Sequence, residues 1–220
     1  GDTWTFQQAL LAPDRASGDQ LGQAVAIDDD WILAGAMRAD GTFADAGAAH
    51  AWRRIGGSWE HVARLEHPDP QAQDRFGASV AIDADNAFGP VAVVGAALDD
   101  VEELANAGSA AVFRWSDSDG DGEEAWELEQ LLVDPSPGIG DNFGQSVGVA
   151  GEVVVVGAWL DDDGQDNRGS AVVFRDFGAP VDPWEFDARL LANPAGDGDQ
   201  FGRSVAIDDT GTLIVAGASG

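Results

Sequence analysis

Cysteine, lysine and tyrosine are missing from the 220 residues, and there are only three histidines and one methionine. Without cysteine, neither disulfides nor thiol chemistry contribute, and the redox compartment leaves no trace in the composition. Without lysine, all 11 basic residues are arginine, set against 40 acidic residues and a net charge of −29. Such a surface opposes phosphate backbones and anionic lipids, which require cationic neutralisation, so no nucleic-acid partner is expected. The same acidity reads either as a solvated, self-repelling surface, suited to a saline habitat, or as carboxylates that converge on divalent cations. Long apolar runs are also lacking. Stretches such as Val153–Val156 fall far short of the roughly 20 residues of a membrane-spanning helix, so no membrane insertion is expected. For catalysis the inventory is thin. His50 is placed in an inward strand and His61 in an outer one, where they are not expected to meet, and neither a nucleophile elbow nor a His-Glu-x-x-His helix is read in the chain. No enzyme is expected.

What the chain does have is repetition. Trp4, Trp59, Trp126 and Trp184 recur at steps of 55, 67 and 58, and the pairs Gly35-Ala36, Gly95-Ala96, Gly157-Ala158 and Gly217-Ala218 at steps of 60, 62 and 60. A period of this size built from short strands marks a repeat architecture whose units bury their faces against one another. Residues 1–220 therefore read as one region with repeats at about 4–58, 59–125, 126–183 and 184–220, the last incomplete.

Within a repeat, Phe76, Ala78, Val80 and Ile82 alternate onto one strand face, whereas Val91–Ala96 is apolar on both faces and suits a strand enclosed in a stack. Small residues open the Gly108–Trp115 strand, and Trp126–Leu132 alternates as an outer, half-exposed strand. Four such strands per repeat describe the blade of a β-propeller, an all-β fold of four-stranded antiparallel blades. Asp19, Asp74, Asp141 and Asp199, just ahead of the glycines at 22, 77, 144 and 202, read as turn formers that accept from backbone amides.

The segments Asp74-Arg75-Phe76-Gly77-Ala78-Ser79-Val80-Ala81, Asp141–Gly148, Asp199–Ala206 and, with Leu21 for Phe, Asp19–Ala26, each followed by its Gly-Ala pair, resemble the FG-GAP repeats of integrin α-subunit propellers and of bacterial surface and secreted proteins. The bacterial form, with its Trp-led strand, is the nearer match. The resemblance implies a β-propeller, commonly seven-bladed, that works outside the cell or at its surface as an interaction or adhesion module and often carries calcium. It departs from the integrin pattern in lacking Pro after Gly-Ala. It also lacks a complete Asp-x-Asp-x-Asp-Gly loop between the first two strands of any blade, although Asp83 and Asp85 keep half of one.

The stronger calcium candidate is the connection Asp117-Ser118-Asp119-Gly120-Asp121-Gly122-Glu123, where Asp117, Asp119, Asp121 and Glu123 alternate around glycines that permit a sharp turn. The alternative is a solvated acidic hairpin. A weaker cluster is Asp161, Asp163 and Asp166, in a loop whose counterparts carry Asp40, Asp45, Asp99, Asp100, Glu102 and Glu103. If these loops share one rim they form an acidic ring, for cations, for a basic partner or merely for solubility.

The fourth repeat stops after its second strand, while Trp4–Leu11 reads as an outer strand without a blade of its own. That strand is expected to clasp the last blade, or the chain to form part of a larger, seven-bladed propeller, or copies to complete one. The expected function is binding of a protein or glycan through propeller loops. The alternative is a structural subunit that self-assembles edge to edge into a ring, sheath or filament.

Overall fold

The computed structural model describes residues 3–116, 124–162, 166–178, 183–194 and 196–220. The described elements are all strands, and none is a helix long and apolar enough to cross a membrane. The first repeat folds as β1 (Val25–Asp28), β2 (Trp31–Ala36), β3 (Ala48–Ile55) and β4 (Ser58–Leu65), hydrogen-bonded in chain order as an antiparallel meander. The second repeats this as β5 (Ser79–Asp83), β6 (Val91–Ala96), β7 (Ser109–Ser116) and β8 (Ala125–Val133), and the third as β9 (Phe143–Ala150), β10 (Val153–Ala158), β11 (Ser170–Asp176) and β12 (Trp184–Leu190). The fourth contributes a pair, β13 (Ser204–Ile207) and β14 (Ile214–Gly217). A bulge recurs where the third strand meets the fourth, at Ala51/Trp52, Val112/Phe113 and Val173/Phe174, and adds twist to each outer strand.

The core lies between blades. Trp31, Leu33, Phe76, Val94 and Phe113 join blades one and two, while Val91, Val112, Phe143, Val154 and Phe174 join blades two and three. The innermost strands β1, β5, β9 and β13 pack in succession. This stacking is why β6 and β10 are buried along their whole length, as their two apolar faces require.

Backbone makes the junctions. Phe76, Phe143 and Phe201 form parallel bridges to Gly47, Gly108 and Gly169 of the blade before. Gly144, with φ of +90°, is placed so that a Cβ would collide with the Ser109 carbonyl oxygen. The Phe-Gly kink is also why β5 starts at Ser79, although the apolar alternation already begins at Phe76. Phe76, Val80 and Ile82 do share one core cluster. Ser79 and Ser146, two residues past the kink glycine, donate to the carbonyls of Gly144 and Gly202 in the next blade at 2.7 and 2.8 Å.

The N-terminal segment differs from its expectation. Residues 3–24 carry no strand, and Trp4 is 99% exposed. No described hydrogen bond ties the segment to β13 or β14. Gln8 instead grips the backbone of Trp59 at the start of β4, donating from Nε2 to its oxygen (2.7 Å) and accepting its amide at Oε1 (3.0 Å). Gln130 of β8 holds Trp184 of β12 in the same way, at 2.9 Å in both directions. With Trp4 to Gln8 spaced as Trp126 to Gln130, the segment lies where the outer strand of a preceding blade would lie, and it lacks the ladder neighbour that would make it a strand.

Candidate functional site

Strand direction divides the loops between two rims. On one, the turns joining the first two strands of the second, third and fourth blades come together around a cleft of ≈ 630 Å³ lined by Asp83, Asp85, Glu152, Arg175, Asp209 and Thr210. An adjoining cavity of ≈ 320 Å³, against Ile27, Ile82 and Ile207 of the innermost strands, shares Asp83, Asp85 and Asp209 with it. Negative charge is dense here: Asp85, Asp28 and Asp30 push the exposed Asp29 above the ordinary aspartate pKa.

The carboxylates of these turns accept from amides rather than closing into a calcium cup. Asp28 Oδ2 accepts from Ala84 N (2.7 Å) in the next blade, and Asp83 Oδ2 from Gly151 N (2.6 Å). Asp208, held by the Thr210 hydroxyl and the Leu213 and Thr212 amides, is drawn down to a pKa of about 2. The integrin-type position therefore does not fit calcium in this chain.

The opposite rim carries the loops between second and third strands, interleaved with the linkers that enter each next blade. Leu98 N donates to Asp74 O (3.3 Å), Gly140 N to Ala105 O (2.9 Å) and Gly198 N to Asp166 O (2.8 Å). These loops thus share one rim, as the acidic-ring expectation needs. Each linker aspartate is a turn former: Asp141 and Asp199 accept from Gly138 N and Gly196 N at 2.6 Å, and Asp19 and Asp74 from the amides of Ala16 and Gln71. Asp40, Asp100 and Asp162 likewise accept from the amides of Asp45, Asn106 and Asn167 (3.0, 2.8 and 2.7 Å).

Beneath this rim, two blade junctions bury carboxylates with a basic side chain. At the junction of blades two and three, Arg189 on β12 pairs with Asp134 and Asp161, and donates to Ser170 Oγ (3.1 Å). Burial, opposed by the Gly138 amide and reinforced by Asp161 and Asp134, lifts Asp141 to a pKa of about 6. At the junction of blades one and two, His67 stands 3.3 Å from Asp99 and 3.1 Å from Ser109 Oγ, beside Asp74. Burial disfavours the imidazolium, but Asp99, the Asp69 carbonyl and Asp74 outweigh it and hold His67 above its ordinary pKa.

The metal candidates fall unevenly on this frame. Asp117, Asp119, Asp121, Glu123 and Asp163 lie outside the described residues. Asp161 is buried and turned onto Arg189, while Asp166 sits in an exposed turn.

Two expectations about catalytic groups need correction. His50 and His61 do meet, with Nδ1 and Nε2 3.0 Å apart, because β3 and β4 are neighbours and the bulge at Ala51/Trp52 places the two rings diagonally on one face. Burial, opposed by Asp14 and helped by His61, pulls His50 down to about 4, and burial lowers His61 as well. Gly144-Gln145-Ser146-Val147-Gly148 also spells Gly-x-Ser-x-Gly, but it runs along β9 with no strand-to-helix elbow, and Ser146 Oγ is committed to the Gly202 carbonyl.

The His67 and Arg189 clusters escaped sequence reasoning because, Asp74 apart, the side-chain partners of His67 and Arg189 lie 19 to 55 residues away. A comparison of linker and outer-strand positions across repeats carries the signal: Ala12, His67 and Asp134 in the linkers against Arg64, Leu131 and Arg189 in the outer strands. The sequence profile of the FG-GAP repeat matches residues 4–52, 59–113, 126–174 and 184–220. No individual curated protein matches the chain.

Proposed function

Because the chain belongs to the FG-GAP repeat family, whose propeller repeats generally serve protein interaction and are typical of extracellular and cell-surface proteins, we propose that it is a non-catalytic binding module at or outside the cell surface that takes a protein or glycan through its loops. The observation that carries this reading is the ≈ 630 Å³ cleft in which three blades present Asp83, Asp85, Glu152 and Asp209. A concave, acidic surface on a rigid stack suits a partner with basic side chains, held by shape and charge and with no bond made or broken.

The test is surface plasmon resonance against arginine- and lysine-rich peptides and neutral oligosaccharides, using the native chain and an Asp85→Asn/Asp209→Asn double variant. Both residues are exposed, so the variant leaves the junctions intact. A loss on the order of tenfold, mainly in the association rate and erased by high salt, supports the reading. Equal binding by both proteins, or none by either, sinks it.

Calcium belongs to the same proposal, at Asp117, Asp119, Asp121 and Glu123, where alternating carboxylates and glycines suit a hard cation with six to eight oxygen ligands. Bound there, calcium would stiffen the β7–β8 connection. Calorimetric titration of chelator-stripped protein is expected to give an affinity of about 10⁻⁴–10⁻³ M, lost in Asp119→Ala/Asp121→Ala. Absence of heat removes the metal from the proposal.

A second reading, assembly of subunits edge to edge, is favoured by one observation. Val25 and Ile27 on the first blade are each 67% exposed, and Leu213 and Val215 by the last are each 62% exposed. These apolar residues are what one blade presents to the next elsewhere in the stack. Light scattering over a concentration series checks it, and a monomer at every concentration rejects it.

A further inference from the structure

We propose that His67, Asp74 and Asp99 form a binding site for a zinc-class divalent cation at the junction of blades one and two, with Ser109 or a water completing the shell. All three residues are buried, and their ligand atoms lie within 4.8 Å of one another. The site is independent of the rim cleft and of the Asp117–Glu123 loop.

The histidine carries the argument first. Its Nδ1 lies 2.9 Å from the Asp69 carbonyl oxygen and 3.3 Å from the Asp69 amide, and in the tautomer that the shorter contact favours Nδ1 donates to the carbonyl. That is the outer partner a metal-ligating imidazole commonly has. The other nitrogen, Nε2, then faces both Ser109 Oγ at 3.1 Å and Asp99 Oδ2, and a positive centre between Nε2 and the carboxylate would satisfy both. A second proton on the ring is one such centre and a metal is the other. The Nε2 to Oδ2 separation is 3.3 Å. It matches the spacing between two ligands of a tetrahedral zinc, about 3.3–3.4 Å for bonds of about 2.0–2.1 Å. One imidazole nitrogen and two carboxylate oxygens are a donor set that zinc accepts.

The second observation comes from the next junction, where the equivalent positions do hold a cation. Asp161 and Asp99 each stand three residues after their Gly-Ala pair, Ser170 and Ser109 each pair with the alanine of that pair, and Asp134 and His67 each precede the linker proline. At blades two and three the Arg189 guanidinium fills the space among Asp134, Asp161 and Ser170. The residue in register with Arg189 on β8 is Leu131, since Arg189 faces Val172 and Leu131 faces Ala111. Blade two keeps one of the two carboxylates that Arg189 pairs with, as Asp99, and the serine, but has His67 where the other stands and Leu131 in place of the arginine; its second buried carboxylate, Asp74, is the counterpart of Asp141. Blade one completes the pattern: it has Arg64 at the outer-strand position, with Ala39 where the others have aspartate.

The experiment uses Co²⁺ as the spectroscopic probe for zinc on the chelator-stripped chain of residues 1–220. The expected result is one equivalent bound with the visible ligand-field bands of a tetrahedral site, displaced by Zn²⁺ and not by an equal concentration of Ca²⁺. Asp99→Asn is expected to weaken binding at least on the order of 100-fold. Leu131→Arg, which supplies the guanidinium the third blade uses, is expected to abolish the bands while circular dichroism and the response to calcium stay as in the native chain. If Asp99→Asn fails to fold, Leu131→Arg decides. Native protein without bands shows that His67 holds a proton alone and overturns the proposal, as do bands that persist in Leu131→Arg.

Discussion

Gly144 shows how much a single position carries. Its φ of +90° is one that side chains rarely adopt, and the Ser109 carbonyl occupies the space a Cβ would need. Gly144→Ala is expected to cost about 3 kcal/mol or more, read as a lower urea midpoint with an unchanged slope. The buried titrating groups act with opposite signs. His50 is lowered from 6.5 to about 4, so the unfolded chain binds more protons between those values and the contribution of His50 to stability grows as pH rises through that window. Asp141 is raised from 3.8 to about 6, so the folded chain binds more protons and its contribution falls as pH rises through nearly the same window. Relative to the native protein, His50→Gln should lose stability less steeply on acidification from pH 6 to pH 4, and Asp141→Asn more steeply; melting temperatures across that range check both. The linker aspartates were legible in the sequence because their amide partners lie three residues away. The partners of His50 and Arg189 were not, since a bulge sets the first and a contact between blades the second.

At the scale of elements, the burial of β6 was legible in its unbroken apolar run and the half-exposure of β8 in its alternation. The strand expected over Trp4–Leu11 did not form, although its pattern matches that of β8, because pattern specifies a face and a strand also needs a neighbour with free ladder groups. What the segment retains is its glutamine clamp. Gln8→Ala is expected to free it, speeding proteolysis ahead of Pro13 while the melting temperature of the stack stays put. Gln130→Ala, which undoes the same clamp between two complete blades, is expected to cost about 1–2 kcal/mol of global stability. Equal effects from the two variants would show that the segment is part of the cooperative unit.

For the whole molecule, the net charge of −29 sets the response to solvent. Self-repulsion at short Debye lengths weakens, so the melting temperature is expected to rise between about 0.05 M and about 1 M sodium chloride, where a protein held by surface ion pairs would lose stability. A falling curve would assign the exposed arginine ion pairs the larger share. The repeat period made the stacked architecture readable in advance, since it is written into every copy. The buried basic side chain at these two junctions was not readable in this way, because it differs from copy to copy, with arginine at one and histidine at the other.

The junctions between blades are drawn largely in main chain, glycine against carbonyl, with the same Phe-Gly kink at each step. Pitch from unit to unit is therefore indifferent to most side-chain substitutions. A duplicated unit would meet both flanking copies with the right main-chain surface from the moment it arose, so an array of this kind can lengthen by tandem copying without a round of compensating core mutations.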